Sequence, residues 1–100
     1  MYQMSNTSRM KRLGELAPDA FRAFAEFDAL AVKDGAISRK NKELIAVGVA
    51  LTTQCPYCIE IHLQNAKRAG ATEQELAEAA MVAAALRAGA AVTHATHLLA

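Results

Sequence analysis

The chain has 100 residues, of which 53% are apolar and 5% aromatic, and its 11 basic and 10 acidic residues give a formal net charge of +1. A chain of this length forms one compact domain and is too short for two. The balanced charge argues against a nucleic-acid-binding or membrane-surface protein, because both depend on a strong positive field. No run of about 18 uninterrupted apolar residues occurs, so we expect no membrane-spanning segment.

The first residues of the chain are polar and lack the apolar segment of a secretory signal, so we expect a cytoplasmic protein. Residues 1–16 show no sustained hydrophobic period, and we interpret them as a loose or partly helical N-terminal arm. The basic cluster Arg9, Lys11 and Arg12 in this arm is expected to face solvent. Residues 17–100 then form the folded domain. So small a domain buries its apolar residues poorly, and we therefore expect self-association.

The first predicted helix of the domain begins at Pro18, a residue that suits the first turn of a helix. Its apolar residues fall on one stripe, and Asp34-Gly35 ends the segment. We expect the aromatic members of that stripe to lie in the core: Phe21, Phe24 and Phe27.

Two further helices are predicted around the centre of the chain. The first has Ser38 as its cap and runs to about Thr53; its valines and threonines leave a strand possible, but the spacing and length favour a helix. The second has Pro56 at its first position and ends at Gly70, a residue suited to a left-handed terminus.

The last third of the chain begins with Thr72-Glu73-Gln74-Glu75, which has the form of a capping box. The helix that follows is predicted to reach about Arg87. It is apolar nearly all round, which indicates burial, including burial between subunits. We expect Gly89 to interrupt it and residues 90–99 to form a last helix. The predicted fold is an all-α helical bundle, a single small domain.

Both cysteines lie in one Cys-x-x-Cys motif, Cys55-Pro56-Tyr57-Cys58, which in a reducing compartment indicates a redox or a metal site. At a helix start the two sulfurs can meet as a disulfide across one turn. His62 follows Cys58 by four residues, which places its ring on the same helix face. A helix N-terminus and an imidazole both stabilise a thiolate. We therefore expect the pKa of Cys58 to lie well below the ordinary thiol value.

Glu43 is the predicted partner of His62. If the two central helices are antiparallel around a turn near Gln54, Glu43 falls opposite position 65, within a turn of His62. A carboxylate there would hold the imidazole and favour its protonated form. From the residues alone, a solvated charge that pairs with Lys40 or Lys42 is the favoured interpretation of Glu43.

The run from Ser38 to about Gly70 resembles the carboxymuconolactone decarboxylase / AhpD-like alkylhydroperoxidase family. The redox signature of that family is a glutamate, eleven residues, Cys-x-x-Cys, three residues and a histidine. The signature matches this chain at every spacing, at Glu43, Cys55, Cys58 and His62. The likeness covers roughly 24–95, most of the chain.

The resemblance implies an all-α AhpD-like fold and a homotrimer or homohexamer. It also implies a catalytic set in which Cys58 attacks the peroxide, Cys55 resolves the product, and His62 and Glu43 activate the thiol. The predicted function is that of a thiol-dependent peroxidase or disulfide oxidoreductase that reduces alkyl hydroperoxides. It would use an unidentified dithiol or protein reductant, with no cofactor and no metal.

Several alternatives stay open. One alternative is a lactone-decarboxylase-like protein without peroxidase activity. Family members that act on lactones lack the cysteine pair, however, and this chain keeps both cysteines. Cys-Pro-Tyr-Cys also occurs in glutaredoxins, but that fold needs strands after the motif and a cis-proline, which this sequence does not supply, so a glutaredoxin is not one of these alternatives. A zinc module would use Cys55 and Cys58 with His94 and His97, although we expect these histidines to be surface or interface residues. A non-catalytic oligomerisation domain would have two unreactive thiols.

Overall fold

The computed structural model describes residues 2–100, so Met1 of the predicted arm lies outside the described residues. The chain is all-helical, and residues 2–100 contain no strand, so the predicted fold class is confirmed and the alternative of a strand before residue 53 is wrong. A 3-10 helix at Met4–Arg9 precedes five α-helices and a final 3-10 turn at Ala95–Leu98. The α-helices are α1 (Met10–Leu16), α2 (Pro18–Ala31), α3 (Arg39–Thr53), α4 (Pro56–Arg68) and α5 (Glu73–His94).

Helix α3 is central, because it packs against both α4 and α5. Its first turn is capped by the Ser38 hydroxyl, which accepts from the backbone N–H of Asn41 at 3.1 Å. Its last turn closes at Gln54, whose φ of 57° is left-handed. That tight turn starts α4 after only one more residue and brings it back alongside α3, as predicted.

The core between these helices is small and made largely of short side chains. Val47 and Ala50 of α3 and Ala66 of α4 are buried, together with the polar Glu43. Gly48 faces Ala79 and Ala83 where α3 meets α5. The alanine-rich composition thus gives close helix contact rather than a thick aromatic core.

Helix α5 begins with the predicted capping box. The Thr72 hydroxyl accepts from the Glu75 backbone N–H at 3.1 Å, and the Glu75 carboxylate accepts from the Thr72 N–H at 2.9 Å. The predicted interruption at Gly89 is wrong, because the helix continues to His94. One glycine costs a helix about 1 kcal/mol, and the neighbouring alanines, the best helix formers, offset it.

Helix α5 is only partly covered within the chain: one side packs against α3, but none of its residues is buried. Residues Glu73–Leu98 are long and apolar enough to cross a membrane by length and composition alone. That is weak evidence, because core helices of soluble proteins meet the same test. In this fold α5 packs against α3, and the exclusion of a membrane stays a prediction.

Helices α1 and α2 form a hairpin that packs mainly on itself. Phe21 lies against α1 near Gly14, but Phe24 and Phe27 are 54% and 70% exposed. The prediction that this aromatic stripe lies in the core of the chain is therefore wrong. Helical spacing places apolar residues on one face, but it does not say which surface, if any, covers that face.

Candidate active site

The two thiols lie together at the N-terminus of α4. The sulfurs of Cys55 and Cys58 are 2.6 Å apart, both residues are free cysteines, and both are half-buried. Cys55 is the N-cap residue of α4, and its Sγ accepts from the backbone N–H of Cys58 at 3.3 Å. Pro56 at the first helical position fixes this start. A disulfide can therefore form across one turn without rearrangement of the helix.

The pKa values of the two thiols are shifted in opposite directions. The pKa of Cys55 is lowered, first because its sulfur accepts a hydrogen bond from the Cys58 thiol and then because it accepts the Cys58 backbone N–H. The pKa of Cys58 is raised to about 11, because its thiol donates to Cys55, because it is partly buried, and because the negative charges of Cys55 and Asp28 oppose a second charge. The predicted low pKa of Cys58 is therefore wrong: the stabilised thiolate is that of Cys55.

Glu43 and His62 meet as the fold-back geometry predicts. The Nδ1–H of His62 donates to Oε2 of Glu43 at 2.7 Å. The Glu43 side chain is fully buried; its other oxygen, Oε1, has no hydrogen-bond partner among residues 2–100 and lies 3.9 Å from Nη2 of Arg39. A buried carboxylate is costly without compensating groups. His62 and Arg39 supply them here.

The alternative interpretation of Glu43 as a solvated charge is wrong, because its expected partners bind elsewhere. Lys40 forms an ion pair with Glu75 at 2.7 Å, and Lys42 donates to the backbone carbonyl of Lys33 at 2.7 Å. Glu43 is instead fully buried and bonded to His62 of α4.

His62 is placed beside the dithiol without a direct bond to it. It lies four residues beyond Cys58, on the same helix face. Within residues 2–100, no hydrogen bond joins its ring to either sulfur, and its Nδ1 is held by Glu43. Because Nδ1 is held by Glu43, Nε2 is the ring nitrogen left for proton exchange.

A pocket of about 340 Å³ opens on Cys58. Half of its lining comes from α4 and half from the N-terminal arm: Tyr57, Cys58 and Ile61 with Asn6, Thr7 and Met10. The arm residues were not predicted as part of the site, and the sequence carries no signal for them, because the arm has no hydrophobic period. Asp28 of α2, whose charge raises the pKa of Cys58, was missed for the same kind of reason: its effect depends on tertiary placement.

Family membership follows from a match over most of the chain. The family model described as the carboxymuconolactone decarboxylase family matches residues 18–100. The chain belongs to the carboxymuconolactone decarboxylase family. The resemblance carried by the signature residues is thereby confirmed at the level of the family, and the match covers α2 to the C-terminus while leaving the arm outside.

Three relatives of this carboxymuconolactone decarboxylase family member illustrate the similarity. An uncharacterized protein of the cox locus of Paracoccus denitrificans is 48% identical over 89 residues, 89% of this chain and 78% of the relative. A crystal structure of a protein from Methanobacterium thermoautotrophicum is 36% identical, with a TM-score of 0.80 over 86% of this chain and 97% of that one. An apo carboxymuconolactone decarboxylase family protein from Legionella pneumophila is 33% identical, with a TM-score of 0.80 over 92% of this chain and 82% of that one.

The zinc alternative for this family member would require four ligands to converge. Within residues 2–100, no three side chains of His, Cys, Asp or Glu are grouped so that they could hold a metal ion. His94, the last residue of α5, and His97 in the 3-10 turn that follows are both exposed, and their ring centroids lie 5.6 Å apart. The structure therefore gives the zinc module no support.

Proposed function

We propose that the chain is a thiol-dependent peroxidase, a dithiol oxidoreductase that reduces alkyl hydroperoxides. The observation that carries the proposal is the pair of free thiols with sulfurs 2.6 Å apart at the start of α4. The Glu43–His62 pair one turn further supports it, as does family membership. Two electrons leave the dithiol as it becomes a disulfide, and the same two electrons cleave the O–O bond of the peroxide.

Cys58 is the proposed attacking residue, because it lines the pocket from which a substrate would approach. Its proton passes to the Cys55 sulfur, which lies 2.6 Å away and has the lower pKa of the two. The Cys58 sulfur then attacks the peroxide, the O–O bond breaks, and the alcohol leaves with one proton. Cys58 becomes a sulfenic acid. Cys55 attacks that sulfur, water leaves, and the disulfide forms.

The proposed role of His62 is to supply the proton that the leaving alkoxide needs and to stabilise the sulfur anion during attack. Glu43 acts as a positioning residue, because it touches only the imidazole and holds the ring through Nδ1. The disulfide is then reduced by a dithiol, either a small molecule or a protein. This cycle needs a reducing compartment, consistent with the expected cytoplasmic location.

A stopped-flow reaction of the reduced protein with cumene hydroperoxide tests the proposal. We expect the wild type to consume one equivalent of peroxide per chain, and Cys58→Ser to consume none. Cys55→Ser should consume one equivalent and retain a sulfenic acid on Cys58, which dimedone would trap. If Cys58→Ser consumes peroxide at the wild-type rate, the proposed chemistry is refuted.

We also propose that the chain assembles as a homotrimer or homohexamer. An apolar groove of about 410 Å³ runs between α3 and α5, and only Thr52 among its lining residues carries a polar side chain. Exposed apolar side chains also follow α5 and α2, among them Val82, Leu86 and Phe27. Contiguous apolar surface of this kind indicates an interaction surface.

A further inference from the structure

We propose that the N-terminal arm is the specificity element of the site: docked through Tyr57, it forms the wall that lets apolar molecules reach Cys58 preferentially. This inference rests on the proposed function, in which Cys58 reacts with a molecule bound in the pocket. It assigns two parts to Asn6 and Tyr57: their hydrogen bond holds the arm in place, and both side chains also line the pocket.

Tyr57 lies between the two cysteines in sequence, and three arm groups meet it. The Asn6 side-chain amide donates to its hydroxyl at 2.9 Å, and the backbone N–H of Gln3 approaches the same oxygen at 3.4 Å. The ring of Tyr2 packs edge-on against the Tyr57 ring, with centroids 4.7 Å apart and an interplanar angle of 67°. Edge-on aromatic pairs of this geometry are attractive. The arm is thus attached at a residue inside the redox motif.

The pocket beside Cys58 exists only while the arm is docked, since Asn6, Thr7 and Met10 form half of its lining. Its volume of about 340 Å³ lies within the range of small-molecule sites. Water occupies about 30 Å³ per molecule in the liquid, so the pocket is far larger than hydrogen peroxide needs. No charged side chain lines it. The chemistry therefore fits an uncharged molecule with an apolar body and excludes an anionic one.

Docking of the arm depends on few contacts, so single substitutions can change it. The helical turns from Met4 to Leu16 contain no buried residue. A neutral hydrogen bond contributes about 1 kcal/mol net, which corresponds to about fivefold in the ratio of docked to undocked arm. We therefore expect loss of the Asn6–Tyr57 hydrogen bond to lower the preference for apolar molecules by up to about fivefold.

The test measures alkylation of Cys58 in the reduced full-length protein by N-methylmaleimide and N-benzylmaleimide, with the adducts assigned by mass spectrometry. The two reagents share one reactive group, so their rate ratio cancels any change in the thiolate fraction of Cys58. Tyr57→Phe and Asn6→Ala should each lower the benzyl-to-methyl ratio. Ser8→Ala, a substitution in the same arm but outside the pocket lining, should leave it at the wild-type value.

A ratio that stays at the wild-type value, or rises, in both Tyr57→Phe and Asn6→Ala would overturn the proposal. The measurement uses no peroxide, so its result is independent of whether the chain is a peroxidase. If the protein does consume peroxide, the rate ratio of cumene hydroperoxide to hydrogen peroxide should fall in the same two variants. An unchanged peroxide ratio together with active protein would likewise overturn the role of the arm.

Discussion

The division of the proton between the two thiols predicts opposite effects of two matched substitutions. In Cys55→Ser, Cys58 loses the hydrogen bond to the Cys55 sulfur, which is the first cause of its raised pKa, together with the negative charge of that sulfur. We expect its pKa to fall from about 11 towards the ordinary thiol value of about 9. In Cys58→Ser, Cys55 loses the thiol that donates to it, so its pKa should rise towards the same ordinary value.

The size of the effect on Cys58 follows from these values. Burial and the Asp28 charge remain in this variant, so a fall of about two pKa units is the upper limit; it would raise the thiolate fraction at pH 7 about 100-fold. The intrinsic nucleophilicity of a thiolate falls with its pKa, with a Brønsted coefficient of about 0.4–0.5, which removes about eightfold of that gain. Cys58 in Cys55→Ser should therefore alkylate faster at pH 7 than Cys58 in the wild type, by up to about tenfold.

The assay is the rate of iodoacetamide labelling from pH 5 to 11, read separately at each cysteine by mass spectrometry. For the wild type we expect labelling of Cys55 to begin below the ordinary thiol pKa and labelling of Cys58 to continue rising towards about pH 11. If each cysteine keeps its wild-type pH profile after its neighbour is replaced by serine, the sulfurs do not share a proton and the reasoning is wrong.

The Glu43–His62 pair and the exposed apolar surface lead to three further predictions. His62→Ala and Glu43→Gln should each slow the reaction with peroxide by about 100-fold, and the double variant should lose less than the product of the two, which stopped-flow kinetics would show. If both single variants react with peroxide at the wild-type rate, neither residue takes part in the mechanism. His62→Ala, which leaves a buried carboxylate without its hydrogen bond, should lower the free energy of unfolding by about 3 kcal/mol in urea titrations, and adding Glu43→Gln should recover part of that loss; no recovery would contradict the burial argument. Light scattering should give a trimer or hexamer, whereas a stable monomer of 10.7 kDa would contradict the proposed assembly.

Local sequence signals predicted the parts of the fold that depend on neighbours in the chain. The Ser38 cap, the Thr72–Glu75 capping box and the helix start at Pro56 all occur as expected. The approach of Glu43 to His62 was also predictable, because a short turn near Gln54 fixes which residues of two antiparallel helices face each other. Spacing alone therefore predicted the contact between Glu43 and His62, whereas the redox assignment of the motif came from the family resemblance and stays a proposal.

The features that were missed depend on tertiary environment. The pKa of Cys58 was predicted in the wrong direction, because the reasoning weighed the imidazole and the helix terminus but not the charge of a thiolate 2.6 Å away. The exposure of Phe24 and Phe27 was missed, because helical spacing shows that apolar residues share a face but not which surface covers that face. The docking of the arm joins Asn6 to Tyr57, 51 positions along the chain, and no sequence pattern predicts that contact.

The most direct test of the proposed function is the mass of the protein after reaction with one equivalent of cumene hydroperoxide. We expect the intact chain to lose two hydrogen atoms, a peptide linking Cys55 to Cys58 to appear in the non-reduced digest, and one equivalent of alcohol to form. A non-reducing gel should show no intermolecular link. Retention of both free thiols with the peroxide unconsumed would contradict the proposal that this dithiol reduces hydroperoxides.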